Sequence, residues 1–163
     1  MEFSTITDKN FSQAKEIYSQ GLATNSATFQ NDSPQWEEWD TSHLPFCRIS
    51  IVQDGIMKGW TALTPVSGRC AYAGVAEVSI YIAADQRGRG MGSILMKELI
   101  GQSEKHGIWT LQSSIFSENP GSIKLHEKCG FRLVGFREKI GKKNGVWKDN
   151  VIMERRSSIT GID

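Results

Sequence analysis

VAEVSIYIAADQRGRGMG, residues 75–92, is the stretch on which the fold turns. Its first eight residues are apolar and β-branched enough for a strand, and alternation sets Glu77, Ser79 and Tyr81 on one face, opposite Val78, Ile80 and Ile82. Arg87-Gly88-Arg89-Gly90-Met91-Gly92 follows. Beyond it Ile94, Leu95, Leu99 and Ile100 recur at helical spacing as far as Gly107, a left-handed cap residue. A glycine-rich turn from strand into helix lets backbone N–H groups converge on an anion at the positive end of the helix dipole. Phosphate is the natural guest. Two common phosphate motifs do not fit: no Gly-Lys-Ser/Thr closes the turn, and a G-x-G-x-x-G frame from Gly88 would need glycine at Ser93. Nor does an acidic residue stand ~20 positions on to hold a ribose.

Working outward, Phe3, Thr5 and Ile6 suggest a short first strand, and Asp8 is placed to cap a helix carrying Phe11, Ala14, Ile17, Tyr18 and Leu22. Ser33-Pro34 starts a second helix, with Trp36 and Trp39 on one face. Residues 46–53 and 58–66 flank Asp54-Gly55 as an antiparallel hairpin, and a strand over 75–83 follows. After the glycine-rich turn and its helix come a strand at 108–116, a helix opened by Asn119-Pro120 and ended at Gly130, and the strand FRLVGF. Asn144-Gly145 leads, as a type I′ turn would, into a last strand at 146–153, while 155–163 reads as a loose tail. The order predicts an α+β fold with one mixed sheet, in a single domain over 1–163.

Composition narrows the function. Nineteen basic residues face 18 acidic ones, for a net charge of +1, which argues against a nucleic-acid partner. No apolar run approaches the ~20 residues of a membrane span, and the N-terminus lacks the blocks of a signal peptide, so no membrane partner and a cytoplasmic location are expected. Cys47, Cys70 and Cys129 are odd in number and widely spaced, which encodes neither a disulfide framework nor a metal site.

The turn R-x-x-G-x-G at 87–92 resembles the pyrophosphate loop of the GCN5-related N-acetyltransferases (GNAT). About thirty residues on, Asn119-Pro120-Gly121-Ser122 and then Leu125-His126-Glu127-Lys128-Cys129-Gly130-Phe131 resemble that family's second signature. The chain is similar in particular to the phosphinothricin and methionine sulfone acetyltransferase branch from about Phe3 to Met153. The matching pieces are Ala27-Thr28-Phe29 with Trp36 and Trp39, Arg69-Cys70-Ala71-Tyr72, residues 75–82, Leu125-His126-Glu127 and Gly145-Val146-Trp147-Lys148-Asp149. Ser67 departs from a lysine of some members, and Asn150 from a common valine.

The resemblance implies a GNAT fold, a central mixed and mostly antiparallel twisted sheet flanked by helices. It implies acetyl-CoA as co-substrate, with the pyrophosphate on Arg87, Gly88, Arg89, Gly90, Met91, Gly92 and Ser93. The pantetheine arm would lie along the main chain of Ile80, Tyr81 and Ile82 and against Asn119. It implies Glu77 and His126 as catalytic groups, Phe29, Arg69, Tyr72 and Glu77 as the walls of a small amino-acid pocket, and a homodimer. The residues themselves suit the chemistry. Acetyl transfer to an amine needs a base, a site for an oxyanion and a proton for the departing thiolate. Glu77 in an apolar strand suits the first; His126 suits proton relay or protonation of the thiolate. Arg69 suits a bidentate contact with an α-carboxylate. His43 and His106 read as solvated, and nothing marks Cys129 as a thiolate, which favours direct transfer. Acetylation of protein N-termini or lysines, or a non-catalytic acyl-CoA-binding module, are the alternative functions; the four aromatics Phe29, Trp36, Trp39 and Tyr72 favour a closed small pocket over the first.

Overall fold

The alternation in residues 75–82 becomes strand β4 (Val75–Ile82), and the helix after the turn becomes α3 (Met91–Lys105) in the computed structural model, which describes residues 1–163. Around them lie β1 (Glu2–Thr5), α1 (Phe11–Leu22), α2 (Trp36–Ser42), β2 (Ile49–Gln53) and β3 (Ile56–Pro65). After α3 come β5 (Thr110–Phe116), α4 (Pro120–Lys128), β6 (Arg132–Lys143) and β7 (Val146–Arg156). The strands form one sheet in the order β1-β2-β3-β4-β5-β7-β6, antiparallel at every seam except β4 with β5.

The sheet buries both faces. Leu95, Met96 and Leu99 of α3 pack with Leu63, Leu111 and Met153 on one side, and all six are essentially fully buried. Each such side chain contributes ~1.5–3 kcal/mol by leaving water. Phe11, Ile17 and Trp39 pack with Trp60 and Ala62 on the other. Trp39 therefore belongs to the core, and Trp36 packs against that same cluster.

One seam positions the site. The parallel pairing of β4 with β5 covers only Val75↔Thr110, Ala76↔Leu111 and Glu77↔Gln112. Beyond Glu77, β4 stays paired with β3 as far as Ile82, and β5 with β7 as far as Phe116. The two central strands thus part, and the facing edges of their backbones are left without ladder partners.

Several boundaries differ from the sequence reading. Asn10, not Asp8, stands at the N-cap of α1, and its Oδ1 accepts from the Thr7 N–H at 2.8 Å. Pro34 lies ahead of α2 rather than in its first turn. Cys47, at φ +59°, interrupts the run from Phe46 and leaves β2 only five residues long. Asp54-Gly55 and Asn144-Gly145 have φ of +52° and +75°, and +50° and +77°, as left-handed hairpin turns require. Strand β6 continues seven residues past FRLVGF, with an irregularity between Arg137 and Gly141. Residues 155–157, the first of the segment expected to be loose, are built in. Arg155 and Arg156 extend β7, Arg155 pairs with Glu104 at 2.9 Å, and buried Ser157 donates to the same carboxylate at 2.8 Å.

Candidate active site

Where β4 and β5 part, a cleft of about 820 Å³ runs from the glycine-rich turn, past the inner edges of both strands, to α4 and to the loop joining α1 with α2. At the turn end, Gly88 and Gly90 have φ of +73° and +81°, and a Cβ at either would meet nothing within 4 Å. Glycine is there for backbone conformation, which leaves an open approach to the main chain. Gly92 serves differently, because a Cβ there would lie 2.9 Å from the Leu125 side chain, so its absence lets α3 pack on α4. No side chain caps α3, no acidic residue sits in its first turn, and its first amide bond back to the turn is Ile94 N–H to Gly90 at 3.2 Å. The amides of Met91, Gly92 and Ser93 that precede it have no helical acceptor. Arg87 and Ser93 line the cleft beside them, and α4 adds Lys124 and Lys128, two cations the sequence reading passed over. These groups fit a pyrophosphate. Arg89 is exposed and lies outside the cleft lining.

The two expected catalytic residues flank the opening on opposite faces of the sheet. Glu77 shares its face with Gln112 and Ser114, and its Oε1 accepts from the Ser114 hydroxyl at 3.0 Å. His126, on α4, is buried at 2% exposure. Its Nδ1 lies 2.7 Å from the Ser122 carbonyl and its Nε2 2.8 Å from the Ser113 hydroxyl. A carbonyl only accepts, so Nδ1 carries the proton and Nε2 accepts from Ser113. Desolvation lowers the pKa of His126 below its ordinary value, with the Ser122 carbonyl opposing in part. With Nδ1 as the donor to Ser122, Nε2 is left as the acceptor of the Ser113 hydroxyl. Ser113 and Ser114, adjacent on β5, therefore hold one candidate catalytic group each. The sequence signal for them was a polar pair interrupting the alternation of LQSSIF.

Ile80, Tyr81 and Ile82 line the cleft along the unpaired edge of β4, and Asn119 lines it from the start of α4. Asn119 Oδ1 accepts from the Ser122 N–H at 3.2 Å, capping α4, while its Nδ2 donates to the Ser26 carbonyl at 3.3 Å. Phe29 walls the acceptor end, edge-on to Phe116 with ring centroids 4.5 Å apart and lying against Gly141. Its loop is held by buried Lys143, which donates to the Gln30 carbonyl and to Asn31 Oδ1. Arg69 caps, and Tyr72 ends, the 3-10 turn Cys70–Tyr72 that leads into β4; both are exposed, and neither lines the cleft.

The remaining candidates are structural. His43 is half-buried rather than solvated, stacked on Trp39 at 4.3 Å, and burial lowers its pKa. His106 is exposed, and Cys129 is buried with its thiol pKa raised by desolvation. No group of three or more His, Cys, Asp or Glu side chains gathers to hold a metal, and no helix is long and apolar enough to cross a membrane.

Residues 13–131, an uncapped glycine-rich turn and a splayed parallel seam included, match the family model described as Acetyltransferase (GNAT) family. The chain belongs to that family. Among curated GNAT relatives it is similar to phosphinothricin N-acetyltransferase of Alcaligenes faecalis, 31% identical over 92% of this chain and 79% of that one. It is also similar to the L-methionine sulfoximine/L-methionine sulfone acetyltransferase of Pseudomonas aeruginosa, 36% identical over 51% of this chain and 48% of that one. Among solved structures, a GNAT superfamily phosphinothricin acetyltransferase from Sinorhizobium meliloti in complex with AcCoA superposes with a TM-score of 0.88 at 25% identity. That match covers 99% of this chain and 91% of that one.

Proposed function

We propose that this GNAT protein moves the acetyl group of acetyl-CoA directly onto the α-amine of a small amino acid or analogue of the phosphinothricin, methionine sulfone or methionine sulfoximine type. The observation that carries the reading is a single cleft joining a phosphate-competent turn to a carboxylate through the gap between β4 and β5. Names of relatives on both sides of that branch support the acceptor class.

In this reading the α3 amides, Arg87 and Lys124 hold the donor's phosphates, and the open edge of β4 from Val78 to Ile82 pairs with its pantetheine arm. Acetyl-CoA, when bound, supplies the activated acetyl group. Glu77, fixed by Ser114, takes the proton of the acceptor ammonium from the face occupied by Phe29. An N–H on the same open edge of β4 stabilises charge on the acetyl oxygen. His126 works through Ser113: its Nε2 aligns that hydroxyl and takes along it the second proton that the amine loses as the amide bond forms, and the same pair returns that proton to the departing thiolate as the C–S bond breaks. The pairing of roles differs from a histidine that protonates the thiolate directly, because Nε2 is turned to the Ser113 hydroxyl and accepts from it. Transfer is direct, since both buried cysteines lie in apolar packing with raised pKa values, that of Cys47 pushed up to about 12.

The protein further acts as a cytoplasmic homodimer in this reading. Leu133, Phe136, Val146 and Trp147 of the edge hairpin are each more than half exposed, an apolar surface that an unpaired sheet edge seldom leaves to solvent. A thiol-release screen of amino-acid analogues with acetyl-CoA tests the function. Turnover confined to compact amino acids supports it, and a preference for peptide N-termini overturns it.

A further inference from the structure

We infer that Arg137, not Arg69, is the residue that holds the acceptor's α-carboxylate, and that Asn150 and Ser114 position it. The inference rests on the amino-acid reading above and assigns the acceptor half of the site. Register places Arg137 opposite Asn150, and Asn150 in turn opposite Phe116, so all three lie on the face that carries Glu77 and Phe29. Arg137 Nε donates to Asn150 Oδ1 at 3.1 Å, and Nη2 donates to the Ser114 hydroxyl at 3.4 Å. The Ser114 hydroxyl in turn donates a hydrogen bond to Glu77 Oε1 at 3.0 Å. Glu77, Ser114 and Asn150 all line the cleft.

The result is a carboxylate and a guanidinium held one hydroxyl apart. Ser114 keeps them from collapsing into a direct ion pair, and no carboxylate lies within salt-bridge distance of Arg137. Guanidinium has five donors, and only two are engaged here, so a fork remains for a ligand. An α-amino acid carries its ammonium and carboxylate on one carbon, which matches that spacing: ammonium on Glu77, carboxylate on Arg137. Asn150 explains the geometry. Its carbonyl fixes Nε beside the part of the cleft lining that Asn150 and Ser114 form, which an apolar side chain at this position would not do. Arg137 and Arg69 are both exposed and outside the cleft lining, but the Arg137 guanidinium bonds two side chains that line it, whereas the Arg69 side chain, ahead of the 3-10 turn, bonds none.

The test compares kcat/KM for methionine sulfone and for its decarboxylated amine on wild type, Arg137→Gln, Asn150→Val and Arg69→Ala. Both acceptors are measured on one preparation, so any misfolded fraction cancels from their ratio. Wild type is expected to favour the amino acid. Arg137→Gln should reduce that ratio ~10- to 100-fold, through KM, as expected for a charge-assisted contact made before and during the transition state. Asn150→Val should produce a smaller loss of the same kind, and Arg137→Lys should restore part of the ratio. An Arg137→Gln ratio equal to wild type overturns the inference, as does a collapse in Arg69→Ala alone. A wild-type enzyme indifferent to the carboxylate overturns the amino-acid reading itself, an outcome separate from either of those.

Discussion

Glu77 and His126 were both legible as chemistry-bearing residues, but their relation was not. Alternation in β4 and a helical position in α4 say nothing of two serines from β5 that hold them on opposite faces of the sheet. At Glu77 the expectation is simple. Glu77→Gln keeps the hydrogen bond from Ser114 and loses the base, so kcat should fall ~10²- to 10⁴-fold while acetyl-CoA affinity by calorimetry stays near wild type. Near-normal turnover at neutral pH would assign deprotonation to another group. His126 gives a different prediction, about stability. Its folded pKa is lowered by burial, so below the unfolded value of ~6.5 the unfolded chain binds a proton that the native chain does not. Stability is therefore level above ~6.5 and declines as pH falls through that value, until the folded pKa is passed. His43, also lowered, acts with the same sign. His126→Asn should narrow the gap between urea midpoints at pH 5.5 and 7.5, whatever it does to the mean. An unchanged gap would mean that His126 is not held neutral.

At the scale of elements, the strand, turn and helix over 75–105 were readable because glycine reports directly on backbone conformation. The second half of β6 was not, since REKIGKK has no period and lies largely exposed along a sheet edge. The gap between β4 and β5 was invisible for a deeper reason: it is an absence of pairing, set by where β5 turns to follow β7, and no residue encodes it locally. Arg137 escaped notice on both counts, being in that stretch of β6 and bonded to groups from two other strands, Asn150 of β7 and Ser114 of β5. The turn itself supports a firm prediction. Valine at Gly90 would have to hold φ at +81°, a region closed to β-branched side chains, and the turn would rearrange locally. Acetyl-CoA affinity should drop at least ~10-fold, the equivalent of one charge-assisted amide contact, with the circular dichroism spectrum retained. Gly92→Ala separates the two roles of glycine in this segment. It introduces a Cβ 2.9 Å from Leu125 at a helical position, so it should lower the melting temperature more than it weakens acetyl-CoA binding.

For the whole molecule, the sheet carries a well-covered end and an open one. Strand β1, at one edge, is four residues long, which limits the template it offers to another chain. Strand β6, at the other edge, runs twelve residues and leaves Leu133, Val134, Phe136 and Ile140 exposed, with Val146 and Trp147 beside them on β7. Apolar side chains on both faces of an edge hairpin are costly to leave in water, at ~25 cal/mol per Å² of surface, unless a partner covers them. A second copy is the partner that the proposed homodimer supplies, and the same hairpin bonds residues that line the cleft, Arg137 to Ser114 and Lys143 to Gln30. Assembly and acceptor binding should then be linked. Replacing Phe136 and Trp147 together by aspartate puts like charges where an apolar contact would form, so sedimentation velocity at micromolar concentration should move from dimer to monomer. KM for the acceptor should rise in the same variant, since β6 loses the support that fixes Arg137, while affinity for acetyl-CoA, whose proposed site is at the start of α3, should change little. A wild type that sediments as a monomer would remove the dimer; a monomeric variant with unaltered acceptor KM would keep the dimer and sever its link to the site.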